Sequence, residues 1–356
     1  MSERACDTCL ARSWLVGRLA GHLEAARGRV DQVLALEDDA LIVAIGGREK
    51  ARLEREFETL DVDEVRRRAG GAGVDTVCVC DPGYPSGLRA LPAPPAVLYV
   101  RGRADLLLGE AVAIVGSRKA SMYGLDVARS LGRELALAGL TVVSGMAHGI
   151  DSAAHAGALD AGMPTVAVLP GPANRPYPAG KRGLHRRIVA QGVAVSEIVP
   201  GTNVWRWMFP ARNRIIAALA AMTVVVEAGE RSGSLVTARL AHAIGRPVGA
   251  VPGGVTTPQA KGSNLLLASG GASVVLGAQD VLDHLFGAGE RTAGPARPPA
   301  PAELRPLLDA IAEGHETAAA LARAGFEPDR GLAALAELEL GGFVRRGAGG
   351  RFRIAP

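Results

Sequence analysis

Four short stretches hold the residues best suited to chemistry. Val112-Ala-Ile-Val-Gly-Ser-Arg118 is an apolar run that ends in glycine, serine and a cation. Ser144-Gly-Met-Ala-His-Gly-Ile-Asp151, Phe209-Pro-Ala-Arg-Asn-Arg-Ile-Ile216 and Glu227-Ala-Gly-Glu-Arg-Ser-Gly-Ser234 follow it along the chain. Each reads as a strand end or as the approach to a helix. Such ends present backbone N–H groups and guanidinium forks, both of which hold phosphate oxygens well. Several of them on one sheet would build an anion-binding ledge. The candidate contacts are Gly116, Ser117, Arg118, Gly145, Arg206, Phe209, Arg212, Asn213, Arg214, Ser232, Gly233 and Ser234.

Each candidate has a plainer alternative. Arg118 either grips phosphate or pairs with an internal carboxylate, Glu227 or Asp151; its Gly and Ser neighbours favour phosphate. Arg212-Asn213-Arg214 is expected to open a helix, where cations oppose the helix dipole and an anion would relieve the conflict. Pairing with Glu227 or Glu197 is the alternative. Phe209 offers a face on which a base could stack, with Arg206 on the backbone, or it belongs to the core. Ser232-Gly-Ser234 is an anion cradle or an ordinary N-cap. Lys181, Arg182, Arg186 and Arg187 form a basic cluster, half of it a solvated helix face.

The possible metal ligands divide into two sets. His148, Asp151 and His155 make an incomplete set. Asp151 is expected to cap the helix that begins there, and His155 to pack under the sheet edge. Cys6-x-x-Cys9 and Cys78-x-Cys80 could together give four thiolates to zinc. The preferred reading is two surface thiols and two small buried hydrophobes, because neither spacing is a full ribbon pattern. No cofactor is expected.

The spacing around Gly116 excludes a dinucleotide fingerprint, since Ser117-Arg118-Lys119 stands where the second glycine would be. No ribose-reading acid follows at the expected distance, and no nucleophile–base pair or carboxylate dyad stands out. Cations spread over several loops suit a polymer better than a mononucleotide. The expected ligand is therefore a phosphate-rich polymer, single-stranded DNA, bound by a protein that is not an enzyme.

The elements that would position these residues follow from periodicity. Apolar, Val-rich runs at 112–116, 141–145, 164–169, 193–197, 222–228, 247–251 and 272–276 alternate with helical stretches at 122–138, 151–161, 182–191, 212–220, 234–244 and 263–269. That alternation predicts an α/β, Rossmann-like parallel sheet covered on both faces, with ligands at the carboxyl ends of its strands. Two further strands are expected at 74–80 and 96–102. Residues 1–72 read as a small helical module, including one charged helix over 48–69, and 73–285 as the binding domain. Residues 286–301 read as a Pro/Gly-rich linker. Residues 302–356 read as a winged helix: three short helices and a basic hairpin tipped by Gly347-Ala-Gly-Gly350.

Composition bounds the rest. The chain has 356 residues, 48% of them hydrophobic, which excludes general disorder, and a net charge of +4, which permits a nucleic-acid partner. The start carries no apolar leader, and no apolar stretch approaches the roughly 18 residues a membrane span needs. A cytoplasmic protein is expected.

Together the motifs resemble the DNA-processing protein A (DprA, or Smf) family over roughly residues 81–285. The likeness rests on Tyr84-Pro85, Val115-Gly-Ser-Arg118, Tyr123-Gly124, Val143–Asp151, His155, Tyr177-Pro178, Ser196-Glu197, Phe209–Ile215, Glu227, Ser232-Gly-Ser234, Val251-Pro-Gly253 and Gly262-Ser-Asn264. The resemblance implies an extended Rossmann fold, single-stranded DNA as ligand, a homodimer, and delivery of incoming DNA to the RecA recombinase in natural transformation. It also implies that Arg118, Lys181, Arg206 and Phe209 line one pocket. The family often has Asn shortly after Tyr-Pro, where this chain has Gly180-Lys181. The rival reading is an enzyme of similar fold, a nucleoside-monophosphate phosphoribohydrolase of the lysine decarboxylase-like type. Its Pro-Gly-Gly-x-Gly-Thr-x-x-Glu loop is matched only by Val251-Pro-Gly-Gly254, without the Glu.

Overall fold

The computed structural model describes residues 5–293 and 300–354. The chain divides into two compact units, Met1–Gly294 and Pro295–Pro356.

In the first unit, among the described residues, nine strands form one sheet in the order β1-β2-β6-β5-β4-β3-β7-β8-β9. The strands are β1 (Asp75–Cys78), β2 (Val97–Gly102), β3 (Ala111–Val115), β4 (Thr141–Ser144), β5 (Thr165–Val168), β6 (Val193–Ser196), β7 (Met222–Val225), β8 (Val248–Ala250) and β9 (Ser273–Val274). The seven from β3 to β9 run parallel, whereas β2 joins β6 and β1 joins β2 antiparallel. From β3 the chain steps outward through β4, β5 and β6, then returns to place β7 on the other side of β3. That reversal creates a crevice at the carboxyl ends of β3 and β7, the position where open α/β sheets take their ligands.

The continuous apolar runs are explained by burial on both faces. Successive side chains of a strand point to opposite faces. Ala113 and Val115 join one core with Ile215, Ile216 and Ala238; Val112 and Ile114 join another with Leu131, Leu135 and Ala154. Helices Met208–Leu219 and Ser234–Ala243 supply the first core, and Met122–Leu137 and Ile150–Asp160 the second.

The amino-terminal helices belong to this same unit. Leu15, Leu19 and Leu23 share a core with Ile198, Trp207, Met208 and Ala211. Trp207 is fully buried, and its indole N–H donates to the Ala20 carbonyl at 2.8 Å. The charged helix expected over 48–69 is two helices, Lys50–Glu58 and Val62–Gly71. Asp61 divides them, because its carboxylate accepts from the Glu64 N–H at 3.0 Å and caps the second.

Two cysteines are exposed, Cys6 and Cys80, and two buried, Cys9 and Cys78, so each Cys pair contributes one of each kind. Cys6 precedes helix Asp7–Arg18 and Cys9 lies in its first turn; Cys78 ends β1 and Cys80 sits in the turn beyond. Packing of that helix on β1 and β2 brings all four sulfurs within 4.8 Å of one another.

Part of the expected linker is fastened to the first unit. Asp283 accepts from the Gly289 N–H, and Gln279 bonds to Arg291 and Ala293. Residues 294–299 of that linker lie outside the described residues. The second unit holds helices Arg305–Ala312, Ala318–Arg323 and Pro328–Leu340, then the antiparallel pair β10 (Val344–Arg346) and β11 (Phe352–Ile354). This is the order of a winged helix, around a core that includes Leu307, Leu321, Leu338 and Phe352. Among the described residues no helix is long and apolar enough to cross a membrane.

Candidate nucleic-acid interface

A cleft of about 630 Å³ opens at the reversal point, lined from Val115 to Lys119, by Ala147 and Asp151, and by parts of 209–216 and 229–237. Its rim carries Arg118, Lys119 and Arg231, all exposed, and none forms an ion pair among the described residues. The Arg118 guanidinium stands 5.2 Å from the centre of the Phe209 ring. Phe209 meets Tyr177 edge-on, with centroids 5.3 Å apart, and Tyr177 is 37% exposed. Cations beside an accessible aromatic pair suit a strand whose phosphates and bases alternate.

The carboxylates weighed as partners for Arg118 are held elsewhere. Glu227 accepts from the backbone N–H and the hydroxyl of Ser121, at 2.8 and 2.6 Å, and so fixes the start of helix Met122–Leu137. Asp151 accepts from the N–H groups of Gly145 and Ala147, at 3.2 and 3.4 Å. It therefore pins the loop after β4 rather than capping its own helix, whose N-cap is Gly149. Met146, between the two pinned amides, takes a left-handed φ of 56°. A non-glycine residue in that region is strained and persists only where its surroundings hold it.

Arg212 forms the floor. It is buried, and its Nη1 donates to the carbonyls of Gly145 and Val168 at 2.8 and 2.7 Å, tying the ends of β4 and β5 together. A Cβ on Gly145 would stand 1.7 Å from that nitrogen, so only glycine leaves the guanidinium room. Burial lowers the Arg212 pKa to about 10, against the opposing charge of Asp151. Burial likewise pushes Asp151 up, while Arg212 and the two amides pull it back. His155 lies buried beside them, with Nδ1 at 2.8 Å from the Thr165 hydroxyl. Burial, and then the Arg212 charge, hold its pKa down to about 3.

Several expected contacts stand differently. The helix begins at Met208, so residues 212–214 lie in its interior and the expected conflict with the helix dipole does not arise. Pro210 was the available signal, since proline is tolerated in a first turn and not deeper. At roughly 100° per residue, Arg212 and Arg214 face almost opposite ways. Arg214 is buried away from the cleft, bonded to Glu197 and the Ala93 carbonyl, with Asp31 at 3.8 Å. This is the internal pairing weighed for it. Gly145 spends its N–H on Asp151, and Ser117 donates its own to the Glu227 carbonyl at 2.6 Å. Neither amide is an open donor.

Gly116, Ser117, Phe209, Asn213, Ser232, Gly233 and Ser234 do line the cleft. The two serine hydroxyls are 2.7 Å apart, and the Asn213 amide donates to the Gly233 carbonyl at 3.4 Å. Arg206, exposed in the turn before the helix, and Lys181, half-buried in turn Ala179–Lys181, do not line it. Lys119 and Arg231, which stand beside the Gly/Ser motifs in the sequence, were not counted among the expected contacts.

Comparison with known proteins gives the family. A curated DNA processing protein DprA of Mycobacterium tuberculosis is 42% identical over 262 residues, 72% of this chain and 64% of its own. The match thus spans less than two thirds of that relative. The X-ray structure of DprA from Streptococcus pneumoniae superposes with a TM-score of 0.65 at 32% identity, covering 78% of this chain and 96% of that one. A structure of Helicobacter pylori DNA processing protein A, concerned with its single-stranded DNA binding mode, gives 0.55 at 29% identity over 60% of this chain and 97% of its own. The model of DNA recombination-mediator protein A matches residues 75–286, and the chain belongs to that family.

Proposed function

We propose that this chain binds single-stranded DNA across the cleft, without catalysing a reaction on it, and hands it to a RecA-type recombinase during DNA uptake and recombination. The observation that carries the proposal is the rim: Arg118, Lys119 and Arg231 are exposed, form no ion pair among the described residues, and line the same cleft as Phe209, over which Arg118 rests. The single-strand binding named for the Helicobacter pylori relative and the recombination-mediator description of the family support it. A homodimer in the cytoplasm is part of the same proposal.

The cleft suits a base-hydrolysing enzyme poorly. Asp151, the one carboxylate among its described lining residues, is buried and engaged by two backbone amides. Fluorescence anisotropy with labelled oligonucleotides tests the reading. Affinity should rise with the length of a single strand and exceed that for blunt duplex of equal length. Equal affinity for both forms, or release of free base from nucleoside monophosphates, sinks it.

A further inference from the structure

We propose that Cys6, Cys9, Cys78 and Cys80 bind one structural zinc ion, which fastens the amino-terminal helices to the outer edge of the sheet. The four sulfurs lie within 4.8 Å of one another, with those of Cys9 and Cys80 3.7 Å apart. A tetrahedral tetrathiolate with Zn–S bonds of about 2.3 Å sets its sulfurs about 3.8 Å apart. A disulfide needs about 2.05 Å, so the Cys9–Cys80 spacing fits a coordination sphere and not a bond.

The donor set selects the ion. Soft thiolates favour zinc over magnesium or calcium, and four protein ligands leave no open position for a substrate, so the site is structural rather than catalytic. Cys9 and Cys78 are buried beside Leu10, Val65, Val74 and Val97, which keep water from the inner half of the site.

The position gives the ion a task. Two short segments, 6–9 and 78–80, lie far apart in the chain and meet here. Among the described residues the polar links between the two regions include the Ala5 N–H on the Thr76 hydroxyl at 3.3 Å and Ser13 with Tyr99 at 2.9 Å. A single ion would cross-link helix Asp7–Arg18 to β1. The cluster is also remote from the cleft. β1 lies five strand positions from β3, roughly 24 Å at about 4.8 Å per strand.

Elemental analysis of the full-length protein, purified without chelator from zinc-containing medium, tests the proposal. About one zinc per chain is expected, and cobalt substitution should give the visible bands of a tetrahedral thiolate site. Cys6→Ser and Cys80→Ser alter the two exposed thiols and leave the core packing intact. Each should cut bound zinc by about tenfold or more and lower the thermal midpoint, with single-stranded DNA affinity unchanged. If these variants prove insoluble, the metal content of the unaltered protein decides. A metal-free protein with four titratable thiols, a Cys9–Cys80 disulfide, or iron with labile sulfide overturns the proposal.

Discussion

Arg118 on the rim and Arg212 on the floor line the same cleft, yet one is exposed and the other is buried under two backbone carbonyls. The rim cation keeps its donors for a ligand. The floor cation has spent two of its hydrogen bonds on the ends of β4 and β5, and it offsets the buried charge of Asp151. An arginine at a binding cleft is therefore not by that fact a binding residue. Its burial and its partners decide whether it contributes to affinity or to the shape that makes affinity possible.

The largest effect that tests this contrast is on the floor. Arg212→Ala leaves the buried carbonyls of Gly145 and Val168 without their donor, at about 1–3 kcal/mol each, and removes the nearest charge offsetting Asp151. The thermal midpoint should fall sharply, and Arg212→Lys should rescue part of the loss, since one ammonium can donate to both carbonyls as Nη1 does. An unchanged midpoint together with lost DNA binding would make Arg212 a ligand contact and erase the distinction.

A smaller effect comes from His155, buried in the same floor. The unfolded chain protonates it near its ordinary 6.5, while in the fold the ring stays neutral down to about 3. Between those values the unfolded state binds more protons, so stability falls as pH falls. The loss should be about 1.4 kcal/mol per pH unit across that window. Denaturant titrations at pH 6.5 and 4.5 measure it, and His155→Gln should flatten the difference. An equally steep pH dependence in that variant would assign the effect to other groups.

Legibility in the sequence follows the same divide. The parallel strands could be read because burial on both faces leaves each one continuously apolar, as at Val112–Val115 and Met222–Val225. The Gly-Ser-Arg strand ends fell where the crevice opens, because ligand sites of such sheets lie at the carboxyl ends. Two things were raised by the sequence and not decided by it. Arg212 and Arg214 face opposite ways wherever the helix begins, but which of them reaches the cleft is set by how the helix packs on the sheet, a long-range contact. The meeting of Cys6 and Cys9 with Cys78 and Cys80 depends on helix Asp7–Arg18 docking on β1, a long-range contact that no local spacing encodes.

The rim gives the subtlest test, because its effect is on binding alone. Arg118 is exposed, forms no ion pair among the described residues, and rests over Phe209, so its removal leaves no buried group unpaired. Arg118→Ala should keep the thermal midpoint of the unaltered protein. A charged hydrogen bond contributes about 1.5–3 kcal/mol, so single-stranded DNA affinity should fall roughly tenfold to a hundredfold. Salt dependence separates charge from stacking. Each phosphate neutralised on a single strand adds about 0.7 to the log–log slope of affinity against salt. Arg118, Lys119 and Arg231 together should give a slope of roughly 2, falling to about 1.4 when any one becomes alanine. Phe209→Leu should weaken binding at an unchanged slope, since it removes a stacking face and no charge. A slope that ignores all three cations would show that the strand runs elsewhere, past Lys181 and Arg206, and that the cleft rim is not its path.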